Sequence, residues 1–410
     1  MNDISQASVT PDPELTARRD AYNVELRRRL VGLLREGRTE MAPGGVRFEE
    51  PGVYTDPVRF EEEHRALFLE YPTVAAFSTQ MPNPGDVVVF DALGPSIVLT
   101  RNKQGRVNAF LNMCTHRAAR IVDECGHRNR LNCRFHGWSF DLDGKLAGQP
   151  GADGFPGIDR EQLGLIRVPV GEKYGLIFVK GIAGAEEIDV DAHLGDFAPM
   201  IAQLEIDKAR PIKQSVIDAD ANWKYVYDTY YEGYHFASLH ARTIGALAVS
   251  NVMSVRHFGP HIHMGMPRKE FTELVDKPES EWPVSEYGGL YLLFPNISLN
   301  IYGMPDGGQF VSMSRVYPGK TVGTSRTLQI SARAAHSNPD LPDSRWEQLH
   351  DFIEHVVKTE DYSVSETGQN NLKYAPPGFR PVIGANELAI QHMHSEIERI
   401  LADYRRRNAR

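Results

Sequence analysis

Cysteine is scarce in this 410-residue sequence: there are three, too few for a disulfide-stapled scaffold. No apolar run approaches the length that spans a bilayer. The first residues, Met1 to Gln6, carry no basic stretch leading into an apolar one, so no secretory signal is read there. Basic charge is also short. Lys and Arg number 45 against 54 Asp and Glu, and the resulting charge of −9 argues against nucleic acid as the main partner. No glycine fingerprint follows a strand-like run. Gly151 and Gly157 sit in a turn region, so no nicotinamide or flavin site is read. No repeat or low-complexity tract appears. The composition is that of a soluble globular protein, long enough for two or three domains, and the cysteine usage suits a reducing cytoplasm.

Two of the cysteines stand in short motifs. Cys114-Thr115-His116 is followed, sixteen residues on, by Cys133-Arg134-Phe135-His136. Each stretch offers one thiolate and one imidazole. That donor set suits a Rieske [2Fe–2S] centre, with two Cys on one iron and two His on the other. A Cys₂His₂ zinc site uses the same donors, but usually pairs Cys with Cys and His with His along the chain. Gly137-Trp138 follows the second His, and Asp143-Gly144 between strand-like runs reads as a hairpin turn. Cys125, between the motifs, reads as a spare thiol.

A second constellation begins at Asn222-Trp223-Lys224 and contains Glu232-Gly233-Tyr234-His235 and His240. Two His plus a carboxylate, with positions left open, form the facial triad of non-haem iron oxygenases. On a regular helix, five residues would turn His235 and His240 about 140° apart. They share a metal only if the helix ends, bends or takes a π-type bulge between them. Gly233, a poor helix former, fits such irregularity. Asp228, Glu232 and His235 fall on one helical stripe, and Asp228 could equally be a solvated or capping carboxylate.

Around these motifs the chain reads as helix over 13–36, a short helix over 57–69, and strands at Val87–Phe90, Ser96–Thr100, Val107–Asn112, Leu165–Val170 and Tyr174–Lys180. Further strands are expected at Leu290–Tyr302, Gln309–Tyr317 and Thr327–Ala334, with a turn at Pro305-Asp306-Gly307-Gly308. Helices are expected over 221–244, 341–373 and 386–407. His257, His261 and His263 read as ordinary polar residues. Phe294, Ile297, Leu299 and Ile301 share an alternating strand that could wall a substrate pocket. The tyrosines 225, 227, 230, 231 and 234 read mostly as core. They could also line an aromatic-substrate cavity or cage a trimethylammonium group.

The pattern C-x-H-x₁₆-C-x-x-H-G-W resembles the Rieske domain of ring-hydroxylating non-haem iron oxygenases, in their large (alpha) subunit. Respiratory Rieske proteins carry two further cysteines in a disulfide. Ala119 and Phe135 stand at those positions here, which implies a lower-potential cluster. The resemblance implies an α+β chain. A small antiparallel β Rieske domain would precede a helix-grip (START/SRPBCC-like) catalytic domain with a long C-terminal helix. The expected divisions are an N-terminal helical arm (1–45), a connector (46–71), the cluster domain (72–181) and the mononuclear-iron domain (182–410). Cys114, His116, Cys133 and His136 would ligate the cluster. His235 and His240 would ligate Fe(II), with a carboxylate from Glu360-Asp361 completing the triad: Asp361, or alternatively its neighbour.

Glu232 stands where the family commonly has Asp. By resemblance it would bridge a cluster ligand of a neighbouring subunit, His136, to His235. Gly384-Ala385-Asn386-Glu387, Gln391 and His394 match the family's C-terminal pattern and read as a helix start. The implied activity is that of a terminal oxygenase, fed by a reductase or ferredoxin and working as a homotrimer on a small organic substrate, aromatic in the leading reading. Oxidation or demethylation of a quaternary ammonium, methoxy or N-methyl compound is the alternative. A pure electron carrier would need only the β domain.

Overall fold

In a computed structural model of the chain, the described residues are 13–282, 289–304 and 306–409. The first twelve residues of the expected arm, and Pro305, lie outside them. Two compact units form: Glu63–Leu194, and the chain up to Glu62 together with Gly195–Arg410. The expected boundaries at 71/72 and 181/182 therefore fall inside the smaller unit. Its flanks are tied in by close backbone contacts. Gly181 N–H donates to Leu69 O at 2.8 Å, and a Cβ on Gly171 would lie 2.3 Å from Ile188 O.

The smaller unit holds three small antiparallel sheets. One pairs Val107–Leu111, Ile97–Arg101, Asp86–Phe90 and Gly126–His127. A second pairs Val170–Lys173, Leu176–Val179 and Thr73–Phe77. The third is the expected hairpin region, Leu131–Asn132, Ser139–Phe140 and Leu146–Gly148. Gly144 takes φ +83° in its turn, and a Cβ there would meet the Phe110 ring at 2.4 Å. The strand expected from Leu165 shrinks to a single bridge at Arg167 before the strand starting at Val170. Pro169 lacks the N–H that a ladder needs. The core of this unit includes Val98, Phe110, Trp138 and Phe140, with Cys114 and Cys133 buried beside them.

The larger unit is built on a seven-stranded antiparallel sheet: β1 (Arg210–Ala219), β2 (Ser254–Phe258), β3 (His261–Gly265), β4 (Gly289–Leu293), β5 (Ile297–Gly303), β6 (Gln309–Pro318) and β7 (Ser325–Arg333). The order is β1-β7-β6-β5-β4-β3-β2. The run expected as one strand over Leu290–Tyr302 is two, β4 and β5, because Pro295 cannot donate to a ladder and the chain turns there. β1, β2 and β3 carry too many polar residues to be read as strands. β1 and β2 are edge strands with exposed positions, and β3 buries His261 and His263. His263 Nδ1 accepts from Tyr22 OH at 2.8 Å. Tyr22 lies on α1 (Pro13–Glu36), whose Leu26, Leu30 and Val31 pack on Phe271 and Leu274.

The helix expected over 221–244 ends early. Asn222 caps α2 (Trp223–Asp228) by accepting from Lys224 N–H; short 3₁₀ turns at Thr229–Tyr231, Tyr234–Ala237 and Ile244–Ala246 follow. The helical stretch near the C-terminus is α3 (Ser344–Val356), a π-helical turn (Val357–Asp361) and α4 (Tyr362–Leu372). The last helix is α5 (Leu388–Asn408).

One buried ionic cluster anchors α5. His394 lies on its apolar stripe, with Nε2 2.9 Å from Asp228 Oδ1 and Nδ1 3.4 Å from Glu49 Oε1. Tyr54 OH donates to Asp228 Oδ2 at 2.7 Å. Asp228 is thus a half-buried tie between α2 and α5. Burial alone would lower the His394 pKa, but Asp228 and Glu49 outweigh it and raise it to about 9. For Glu49, burial pushes the carboxyl up, and His394 and Arg47 bring it below its ordinary value. The imidazolium contribution is full below the unfolded pKa of about 6.5 and disappears as pH rises through 9, while the Glu49 contribution disappears on acidification. We predict that His394→Gln lowers unfolding stability by about 3 kcal/mol at pH 6 and by much less at pH 9.5, read by urea denaturation across that range.

Candidate metal centres

The two loops of the smaller unit have one backbone shape despite unequal spacing. Cys114 N–H donates to Ala119 O at 2.8 Å, and Ala118 N–H returns to Cys114 O at 2.9 Å. Cys133 N–H donates to Trp138 O at 2.8 Å, and Gly137 N–H returns to Cys133 O at 3.0 Å. The fourth residue after each Cys is left-handed, Ala118 at φ 57° and Gly137 at φ 72°. Glycine supplies that conformation freely; alanine adopts it under strain. The loops bring His116 and His136 to 4.6 Å between ring centroids, and His116 stacks on Trp138 at 4.8 Å.

The two thiols are buried side by side. Burial pushes the Cys114 thiol up, with the Cys133 sulfur adding to the effect. His116 Nδ1 is buried with no partner among the described residues. Paired sulfurs and an orphaned imidazole nitrogen on facing loops fit a group bound through S and N. Cys125 is exposed and only accepts from Val89 N–H, outside this arrangement.

In the larger unit, His235, His240 and Asp361 converge. One donor atom from each lies within 4.8 Å of the others, the one such grouping among the described residues. Asp361 Oδ1 is 3.4 Å from His235 Nε2 and 3.1 Å from His240 Nε2. The two histidines meet because α2 has ended: His235 rides a 3₁₀ turn, and His240 lies beyond it. Close packing enforces this path, since a Cβ on Gly245 would lie 2.3 Å from Phe236 O and 2.8 Å from His240 O. The π-helical turn lies on the other segment, where it delivers Glu360 and Asp361 to opposite sides of one imidazole.

The remaining ring nitrogens face carboxylates. His235 Nδ1 donates to Glu232 Oε1, whose second oxygen accepts the Tyr234 and His235 backbone N–H groups. His240 Nδ1 donates to Glu360 Oε2 at 2.6 Å, and Thr243 OH donates to the same oxygen at 2.9 Å. With a proton held on each Nδ1, each Nε2 is turned toward Asp361 and is the atom left to bind a metal placed between them. His235 Nε2 has no ordinary hydrogen-bond partner there. Burial alone would lower the His235 pKa, but Asp361 and Glu232 outweigh it and raise it to about 9; His240 is raised in the same way. Burial would raise the Asp361 carboxyl, and the two imidazoles bring it below its usual range. The point between them is therefore a trap for positive charge and fits a divalent ion.

Of the expected residues, the structure brings together all four of the cluster set and, separately, Glu232, His235, His240 and Asp361. The role of Glu360 as the partner of His240 was not read from sequence; its adjacency to Asp361 was the available signal. Among the tyrosines, 227 and 231 are fully buried, while Tyr234 is 59% exposed. Tyr230 OH meets Tyr362 OH at 3.0 Å, beside Asp361. Ile297, Leu299 and Ile301 lie on the sheet face away from this layer. Their alternates, Ser298 and Asn300, pair through β6 with Ser314 and Ser312, and Ser314 bonds to Tyr230. Alternation shows which residues share a face, not which face meets the site.

The Rieske [2Fe-2S] domain model matches residues 72–160, and the model for the ring hydroxylating alpha subunit (catalytic domain) matches 206–403. The chain belongs to the Rieske-type non-haem iron oxygenases. Its cofactors are a [2Fe–2S] cluster and a mononuclear iron, which excludes the zinc reading. The carnitine monooxygenase oxygenase subunit of Acinetobacter baumannii is 27% identical, over 78% of this chain and 84% of its own length. The biphenyl 2,3-dioxygenase alpha subunit of Rhodococcus jostii is 28% identical over 48% and 44%. The structure of the quaternary ammonium Rieske monooxygenase CntA with L-carnitine superimposes with a TM-score of 0.73 at 21% identity, covering 87% of this chain and 97% of that one, which shows the fold.

A Rieske oxygenase is a terminal component that needs an electron donor, O₂ and a small-molecule substrate. No described helix is long and apolar enough to cross a membrane. Glu360→Gln should weaken iron retention about tenfold in a chelator competition, because His240 loses its charged partner, while the visible spectrum of the cluster stays unchanged.

Proposed function

We propose that this oxygenase oxidises a small quaternary ammonium compound as a monooxygenase, with Cys114, His116, Cys133 and His136 holding the cluster and His235, His240 and Asp361 holding the iron. The observation that carries the substrate class is charge. A ferrous dication set against Glu232, Glu360 and Asp361 leaves one net negative charge in a largely buried site, with Tyr230 and Tyr362 beside it. Buried negative charge favours a cationic group, and the tyrosine rings nearby suit a trimethylammonium. The relatives support the same class: carnitine monooxygenase subunits align along most of the chain, the biphenyl dioxygenase subunit along about half.

Bound at these sites, the iron supplies dioxygen activation at its open positions, and the cluster supplies single electrons. The protein supplies orientation. Glu232 and Glu360 hold the Nδ1 protons, fix both imidazole planes and keep Nε2 free for the metal. Asp361 closes the donor set, and Tyr362, next to it in sequence, is held by Thr327 at 2.6 Å. In a head-to-tail homotrimer, His136 of one protomer would approach Glu232 of the next, making the carboxylate the link between the two centres. A solved relative described in terms of inter-subunit electron transfer supports this arrangement.

The test is oxygen uptake with product detection, using a surrogate reductase. γ-Butyrobetaine or L-carnitine should be oxidised and biphenyl left untouched; oxidation of biphenyl alone would overturn the assignment. Glu232→Gln should keep both metals and slow turnover about 10- to 100-fold. An unchanged rate would remove Glu232 from the relay.

A further inference from the structure

The face of the sheet that meets α3 and α4 is polar at its centre. On β7, Thr327, Gln329 and Ser331 alternate onto one face. Thr327 Oγ1 reaches Tyr362 OH at 2.6 Å, and Ser331 Oγ reaches His350 Nδ1 at 2.8 Å. Gln329 lies between these two and so faces the same layer, the one that carries Asp361. Across the ladder, Ser314 stands opposite Gln329, and Ser312 opposite Ser331. One strand further, Ser298 and Asn300 stand opposite Ser314 and Ser312. The other face of the same strands carries Leu299, Met313, Leu328 and Ile330, with Arg315 buried beside them.

Several of these polar atoms have no protein partner. Gln329 Oε1 and Nε2, Ser312 Oγ and Asn300 Oδ1 are all buried without a hydrogen bond among the described residues. Gln329 and Ser312 are each 1% exposed. A dry, unpaired amide or hydroxyl in a sheet interior is destabilising, and native proteins keep few of them. Donors and acceptors are both present among these unpaired atoms. A hydroxyl or amide both gives and takes a hydrogen bond, as such a mixed set of donors and acceptors requires.

We infer that Gln329, Ser312 and Asn300 form the wall that selects the substrate, by hydrogen-bonding an uncharged hydroxyl or amide group on it. This rests on the proposed oxygenase site and adds a second requirement to it: a cationic end near the iron and a neutral polar group against β5–β7. Discrimination then follows from unpaired wall atoms, since a substrate lacking the group leaves them dry.

The probes are L-carnitine and γ-butyrobetaine, which differ by one hydroxyl, bound to the holoenzyme and followed by calorimetry. The wild type should prefer L-carnitine by about 3- to 10-fold. Gln329→Met should bring the ratio close to one with γ-butyrobetaine affinity kept within about twofold. The thermal midpoints of Gln329→Met and Ser312→Ala should stay level or rise, because a desolvated polar group has been removed. Midpoints that fall in both variants would show that the groups belong to a structural internal-water network, and would overturn the inference. If neither betaine binds the wild type, the quaternary ammonium assignment fails. The wall is then read with benzyl alcohol against toluene, an uncharged pair differing by the same hydroxyl. A preference for the alcohol that Gln329→Met abolishes upholds the wall, and no preference overturns it.

Discussion

Two carboxylate–imidazole hydrogen bonds determine what the larger unit can do. Glu232 on His235 and Glu360 on His240 hold a proton on each Nδ1, and so turn both Nε2 atoms toward Asp361. An imidazole without such a partner is free to rotate or change tautomer, and the donor set would lose its geometry. The local backbone serves these contacts. The broken helix after Asp228 lets Glu232 cap the turn that carries His235, and the π-helical turn sets Glu360 and Asp361 on either side of His240. The tight fit of Gly245 against the Phe236 and His240 carbonyls fixes the backbone around His240.

Much of the chemistry was legible because it is local in sequence. The paired C-x-H and C-x-x-H motifs, the Gly137-Trp138 that follows and the Asp143-Gly144 turn all act over a few residues, and the structure realises them as two loops of one shape. The five-residue spacing of His235 and His240 showed that a regular helix could not serve. It could not show where the irregularity would fall, and the π-helical turn lies more than a hundred residues further on. Elements set by long-range contacts were the ones missed. β3 looks like a polar loop because His261 and His263 are polar, yet both are buried and His263 Nδ1 is paired with Tyr22 from α1. The role of Asp228 stays open in the sequence until α5 brings His394 to it.

The polar centre of the sheet makes the same point about burial. Apolar alternation on β5 drew attention to Ile297, Leu299 and Ile301, the positions that look like a pocket wall by composition. The register places Ser298 and Asn300 on the side of Tyr230 and Asp361 instead. A core face rich in serine and amide side chains runs against the usual economy of folding, and such exceptions concentrate where a protein binds something. In this chain the exception, the excess of negative charge and the convergent donor set all lie in the larger unit, on the layer between sheet and helices.

The central claim is that a single iron is held where His235, His240 and Asp361 converge. Anomalous diffraction at the iron edge, on crystals of protein purified without added metal, tests it most directly. The account predicts one compact peak within bonding distance of all three residues, in addition to the cluster peak at Cys114, His116, Cys133 and His136. Iron density at the cluster loops alone, with His235, His240 and Asp361 bonded only to one another or to water at full iron loading, would contradict it.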